Sequence, residues 1–320
     1  MTTSEQDPIV VVGTARTAMG SFQGSLASMT APQLGSAAIK GAIERAGVKP
    51  DEVSEVLMGC VLPAGIGQAP ARQASIFAGI PNTVPCTTVN KMCGSGMKTV
   101  MQAYDALHAR PTDVIVAGGM ESMTNAPYLL PKMRNGARLG HAEVKDHMFL
   151  DGLEDAFDKG RLMGTYAEDT AQHYQFTREA QDAFATESLK RAKKANEDGS
   201  FAKEMVAVSV KGRSGTTDIS QDEQPFTADL TKIPKLKPAF REGGTVTPAN
   251  SSSISDGAAA LVLMRLSEAK RRKLQPLAKI SGVAGVAQAP AWFTTAPIGA
   301  MKKVLEQLGW NAKDVGLYEI

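Results

Sequence analysis

Residues 30–62, TAPQLGSAAIKGAIERAGVKPDEVSEVLMGCVL, contain the reading on which the fold turns. Thr30 offers an N-cap hydroxyl and Pro32 a fixed φ in the first turn, so a helix opens here. Leu34, Ala38, Ile39, Ile43 and Ala46 recur at helical spacing and define its buried side. Gly47 stops it, because a residue without Cβ readily takes the left-handed conformation that closes a helix. Asp51 and Glu52 lead into EVLMGCVL at 55–62, an apolar run of strand length. Upstream, PIVVVG at 8–13 reads as a short buried strand, followed by a Gly- and Ser-rich stretch to residue 29. Strand, helix, strand is an α/β unit.

Residues 277–320 repeat that plan. LAKISGVAGVA at 277–287 reads as a strand, and Thr295-Ala296-Pro297 opens a helix carrying Ile298, Met301, Leu305 and Leu308. Gly309 stops it as Gly47 stops the first, and Lys313-Asp314-Val315 faces Asp51-Glu52-Val53 before a strand at GLYEI. A shared cap, stop, acidic link and strand in one order indicates duplication. In the first copy the strand at 55–62 leads to a cysteine segment, a helix and another strand ending near Gly119. The second copy ends within the equivalent of its strand, so the chain reads as cut short. Residues 120–244 break the pattern. They begin in a loop rich in Pro, Asn and Gly and include a helix at 178–197 with a basic end at 190–194, read as a solvated face. The expected division is 1–119 plus 245–275 as a first half, 120–244 as an inserted substrate-covering region, and 276–320 as the start of a second half.

Bulk properties narrow the function. A chain of 320 residues exceeds one ordinary core. A formal net charge of +2 gives no argument for nucleic acid or a charged membrane surface. The longest apolar runs, such as DGAAALVLM at 256–264, fall well short of the ~20 residues of a spanning helix. The N-terminus lacks the pattern of a targeting peptide, and three cysteines make no disulfide framework, so a cytoplasmic protein is expected. Four scattered histidines without C-x-x-C or H-E-x-x-H suggest no metal site; His108, His141, His147 and His173 are all expected at the surface.

The chemistry concentrates at Cys93. TVPCTTVN at 83–90 is strand-like, and KMCGSGMKTVMQAYDALHAR changes to helical period, with Met97, Val100, Met101, Tyr104 and Leu107 on one face. Cys93 therefore sits where a strand turns into a helix. Free N–H groups and the positive dipole end of a helix start favour a thiolate, the reactive form. The same N–H groups can hold a thioester oxygen as it becomes an oxyanion. Gly94 and Gly96 let backbone come close to the sulfur. Cys60 and Cys86 lie inside apolar strands and read as small buried hydrophobes. From these features alone, nucleophile and packed thiol are about equally supported for Cys93.

VNKMCGSGMKT closely resembles the acyl-enzyme cysteine motif of the thiolase family. GGMESMTNAPY at 118–128, DGLEDAF at 151–157, MGTYAED at 163–169 and GTVTPANSSSISDGAAALVLM at 244–264 are similar to other thiolase segments, in order, and the resemblance runs from residue 8 to 320. It implies a five-layer αβαβα architecture of two similar α/β halves, here with the second incomplete, and a loop domain inserted in the first. It implies ping-pong acyl exchange: Cys93 takes an acyl group from an acetyl or 3-ketoacyl coenzyme A thioester and passes it to coenzyme A or acetyl coenzyme A. The thioesters are substrates, and no other cofactor is implied. The family's second cysteine, activating histidine and Asn/His oxyanion pair fall beyond residue 320 by this alignment.

Carried over more weakly, Leu153 and Met163 match positions lining the pantetheine channel, and Ser252 the serine that bonds it, with Ser251 and Ser253 as neighbouring choices. Leu162 stands where short-chain members have His. Phe293 stands where they often have Met, followed by Thr294-Thr295-Ala296-Pro297 in place of a more glycine-rich turn, so Phe293 is expected to shape the acyl pocket. The resemblance implies a homodimer or homotetramer for a complete chain. Two alternatives stand beside an active thiolase: another condensing or decarboxylating member of the superfamily, and a non-catalytic or only self-acylating fragment.

Overall fold

The computed structural model describes residues 7–213 and 215–320. Strands β1 (Ile9–Arg16) and β2 (Gly20–Ser21) precede α1 (Ala31–Ala46), β3 (Glu55–Gly59), α2 (Pro70–Phe77), β4 (Cys86–Val89), α3 (Ser95–Ala109) and β5 (Ile115–Ser122). An excursion carries β6 (Tyr128–Leu129), β7 (Lys145–Asp146), α4 (Met163–His173), α5 (Arg178–Glu197), β8 (Val208–Gly212) and β9 (Gly215–Ile219). The chain returns as β10 (Ser255–Arg265), α6 (Leu266–Arg271), β11 (Ala278–Lys279) and α7 (Ala296–Leu308). One mixed sheet has the order β11-β1-β10-β5-β3-β4, with β2 also on β10. Strand β3 runs parallel to both β4 and β5, while β10 is antiparallel to β1 and β5.

The side-chain alternation of each strand explains the layers. Val10, Val12, Val56, Met58, Val116, Val262 and Met264 point to the face covered by α1, where Ala38, Ile39, Ala42 and Ile43 are buried among them. Their neighbours Ile9, Val11, Leu57, Ile115, Ala117 and Leu263 meet Ala103 and Leu107 of α3 on the other face. The anticipated buried side of α1 is correct at all five positions, and Gly47 caps the helix at φ +67°.

The seat of α3 differs from expectation. Its fully buried residues are Ser95, Thr99, Ala103 and Leu107, whereas Met97 is 72% exposed and Val100, Met101 and Tyr104 are half-buried. The contact is made by small residues because the backbones come close. A Cβ added at Gly59 would lie 2.7 Å from the Gly96 nitrogen, and one at Gly119 3.2 Å from the Gly96 Cα. Thr99 donates to the Gly118 carbonyl at 2.9 Å, fixing the helix along β5.

Strand ends also differ. The run 55–62 forms a strand only to Gly59, because the Val61 and Leu62 N–H groups donate to Glu121 at 2.8 and 3.0 Å instead of joining a ladder. Cys60 is buried as expected, but Cys86 is half-buried, since β4 is an edge strand.

The second copy reproduces the local design without its packing. Helix α7 is capped by Gly309 at φ +65°, and the Asn311 N–H donates to Asp314 at 2.8 Å as Lys49 N–H does to Glu52. No residue of α7 is fully buried. Of 277–287 only Ala278–Lys279 is a strand, paired with β1, and 315–320 form none. A strand needs a neighbour for its N–H and C=O groups, and no described strand pairs with residues 281–287 or 315–320. The described chain is thus a mixed sheet with flanking helices, and residues 276–320 build no second sheet among the described residues.

The excursion is not separate from the core. Strand β5 continues to Ser122, past the expected boundary at 119, and Val208 packs with Leu26 and Leu34. Arg16, at the end of β1, donates from Nε to Glu204 at 2.6 Å and from Nη1 and Nη2 to Asp222 at 2.7 and 3.0 Å. Burial alone would raise the Asp222 carboxyl, but the Arg16 bonds and the Met19 N–H hold it below the ordinary carboxylate range.

Two outcomes follow from these contacts. Arg16→Ala leaves a buried carboxylate unpaired and is expected to cost about 3–5 kcal/mol in urea unfolding at pH 7. Because the native Asp222 pKa is depressed, its contribution is complete above the unfolded value near ~4 and is lost as pH falls through the native one; Arg16→Ala flattens that part of the profile. Gly59→Ala drives a methyl into the α3 backbone and is expected to cost about 1–3 kcal/mol, with hydrogen exchange at the start of α3 accelerated more than in α1.

Candidate active site

Parallel β3, β4 and β5 present their carboxyl ends on one edge of the sheet, the edge where α/β proteins collect ligands. Between β4 and α3 the chain reverses through residues 90–94, and Met92 takes φ +48°, a left-handed conformation unfavourable for a residue with Cβ. Hydrogen bonds hold it there. The Met92 N–H donates to Asn90 Oδ1 at 3.0 Å, and the Met92 carbonyl accepts from Ser95 Oγ at 2.6 Å and Ser95 N at 3.0 Å. The Lys91 N–H in turn donates to Ser95 Oγ at 2.8 Å. Ser95 is buried, so this turn is anchored from beneath.

The consequence is an exposed Cys93 at the start of α3. Among the described residues neither its sulfur nor its amide has a hydrogen-bond partner within the protein. A free amide beside a thiol at a helix start is suited to receive a carbonyl oxygen that gains negative charge. Cys60 is the contrasting case. Burial, with the neighbouring Glu121 carboxylate, pushes its thiol up to about 12, so it stays protonated near neutrality and is no nucleophile.

The other expected positions are held by contacts of their own. Leu153 ends a π-helical turn (Phe149–Leu153) and Met163 begins α4; the residues between them, Glu154 and Leu162, are joined by an antiparallel bridge. That turn reaches the strand ends, since a Cβ at Gly152 would lie 3.4 Å from Leu62. Phe293, 40% exposed, sets its ring edge-on to Tyr166 at 6.4 Å, one turn along α4 from Met163, and Thr294 bonds Thr170 at 2.6 Å. Ser252 sits in a loop leading to β10, whose first residues pair with the end of β5. Buried Glu168 accepts from the Thr245 and Val246 N–H groups, and Asn250 bonds Asp182 at 3.1 Å, so α4 and α5 both hold that loop. Of its serines, Ser251 donates to the Thr247 carbonyl and Ser253 to Gln224, whereas Ser252 is exposed with no described partner. No hydrogen bond joins Cys93 to any of these four residues among the described ones.

His147 departs from expectation. It is 4% exposed, with Nδ1 2.6 Å from Asp151 and Nε2 facing the Ala64 N–H at 3.4 Å, because the turn at 149–153 folds it under the loop after β3. His108, His141 and His173 are exposed as expected, although His173 stands edge-on to Trp292 at 5.0 Å. The sequence reading missed Asn90, Ser95 and Glu121. Asn90 two positions before Met92 and a lone acid ending an apolar strand were the available signals.

Residues 9–267 match the family description "Thiolase, N-terminal domain". The chain is 50% identical over 316 residues to acetyl-CoA acetyltransferase 2 of Arabidopsis thaliana, covering 98% of this chain and 78% of that protein. It is 46% identical over 314 residues to the acetyl-CoA acetyltransferase of Cupriavidus necator, covering 98% and 80%. The solved acetyl-CoA acetyltransferase structure from Syntrophomonas wolfei superposes with a TM-score of 0.92 at 40% identity, over 97% of this chain and 77% of that one. The Bacillus anthracis acetyl-CoA acetyltransferase superposes at 0.93 and 37%, over 97% and 78%. Among the described residues no helix is long and apolar enough to cross a membrane. An exposed thiol on a strained turn at the carboxyl edge of a mixed sheet thus occurs in a chain that belongs to the thiolase family.

Proposed function

We propose that the chain carries the acyl-accepting half of a coenzyme A-dependent acyltransferase, with Cys93 as nucleophile and acetyl or 3-ketoacyl coenzyme A as donor. The observation that carries this reading is the exposed Cys93, with its unengaged amide, on the turn strained at Met92. The Cys93 thiolate attacks the thioester carbonyl, the Cys93 N–H holds the resulting oxyanion, and collapse expels coenzyme A thiolate, which takes a proton as the thioester on Cys93 forms. The free Ser252 hydroxyl, with Leu153 and Met163, supports a pantetheine path along α4. Phe293 beside Tyr166 supports a wall for the acyl chain. We place the protein in the cytoplasm and expect it to assemble as a homodimer or homotetramer.

A second reading, acylation without turnover, is favoured by one observation. Among the described residues no histidine or second cysteine hydrogen-bonds Cys93, so nothing seen there supplies the proton transfers of repeated cycles.

Intact-mass spectrometry after incubation with acetyl coenzyme A tests both. Wild type is expected to gain one acetyl group and Cys93→Ala none; a folded wild type that gains none refutes the assignment. Release of free coenzyme A beyond one equivalent per chain distinguishes turnover from self-acylation.

A further inference from the structure

Glu121, the next-to-last residue of β5, turns its carboxylate toward the loop after β3. Its two oxygens accept from Val61 N–H at 2.8 Å and Leu62 N–H at 3.0 Å, and Cys60 Sγ lies 3.5 Å away. Burial raises this carboxyl above its ordinary range, against the effect of the N–H bonds, so placing an acid here is costly and asks for a reason. Beyond Gly59 the β3 ladder to β5 stops, and Glu121 takes over as hydrogen-bond partner for the next residues. The chain held this way lies directly beside the approach to Cys93: Cys60 N–H donates to the Val89 carbonyl at 3.0 Å, and Asn90 Nδ2 donates to the Val61 carbonyl at 3.4 Å. Asn90 Oδ1 then takes the Met92 N–H.

We propose that Glu121, acting through Val61 and Asn90, is a positioning residue that holds the Met92 turn and so presents the Cys93 thiol. This rests on the reading of Cys93 as the reactive thiol but adds a group in no contact with the sulfur. The carboxylate fixes residues 61–62, these fix the Asn90 side chain, and Asn90 stabilises the left-handed peptide that turns Cys93 outward. Ser95 holds the same turn from the helix side. Loss of either support leaves Met92 free to relax toward φ < 0, which re-aims the cysteine.

The test is a double-mutant cycle on Cys93 reactivity, with Glu121→Gln, Asn90→Ala and the double variant. Alkylation of Cys93 by iodoacetamide is followed by peptide mass spectrometry and acylation by acetyl coenzyme A by intact mass. Each single change is expected to slow both reactions of Cys93 about tenfold, the scale of a lost hydrogen bond to a charged or strained group. The double variant is expected to be no slower than the slower single, because both act on one chain of contacts. A double variant that multiplies the two effects overturns the proposal. So does an Asn90→Ala protein with wild-type melting temperature and Cys93 rates within about twofold of wild type; since Asn90 is exposed, this arm decides even where Glu121→Gln fails to fold. A wild type that is alkylated but never acetylated refutes the proposed function, while the alkylation cycle still decides the role of Glu121.

Discussion

The approach of α3 to the sheet through Gly59, Gly96 and Gly119 is the constraint on which the site depends. Any side chain at Gly59 would occupy the space of the Gly96 backbone. With the helix start pressed onto the ends of β3 and β5, the five residues after Val89 have little room to turn, and Met92 takes the left-handed conformation that a relaxed chain avoids. Exposure of Cys93 is thus a result of close packing beneath it. The helix supplies an electropositive start, the sheet supplies rigidity, and the thiol stands above both.

A second theme is the use of buried and half-buried acids as acceptors for backbone N–H groups of loops and strand ends. Glu121 serves Val61 and Leu62, Glu168 serves Thr245 and Val246, Asp256 serves Thr124, and Glu223 serves Ser21 and Ser25. Buried N–H groups must find partners, and at the edge of a sheet the next strand is no longer there to provide them. A carboxylate can accept several such bonds and stay fixed, which makes it a joint between loop and scaffold. These loops are therefore held by charge-assisted hydrogen bonds, while the layers below are held by apolar packing.

This division explains what was legible in the sequence. Helix α1 was read with its N-cap residue and stop glycine, and helix α5 with its range, because N-cap residues, apolar spacing and stop glycines are local signals. The position of Cys93 followed from a change of period, which is also local. The end of β3 at Gly59 was not readable, since it depends on Glu121, sixty residues away in sequence and outwardly an ordinary acid at the end of a run. The face of α3 was misread because Met and Tyr carry more hydrophobic weight than Ser95, Thr99 and Ala103, yet close backbone approach selects small residues. His147 was placed at the surface because nothing nearby in sequence shows that the turn at 149–153 covers it. The five-layer architecture came from family resemblance alone; the described residues contain one large mixed sheet and two two-stranded ribbons, β6-β7 and β8-β9.

The two copies of the repeat separate local from long-range causes. Gly47 and Gly309 close their helices at nearly the same φ, and Glu52 and Asp314 cap the following turns alike, so those features need only the short sequence around them. Burial and strand pairing are present in the first copy and nearly absent from the second, so they come from partners elsewhere in the fold. The turn at Cys93 belongs with the first copy. Every described bond and close contact that shapes it comes from residues 59–121, and none from residues 276–320. Presentation of the thiol is thus a property of the packed half alone, and any dependence of its chemistry on other segments must enter through proton transfer or substrate contact rather than through the geometry of the turn.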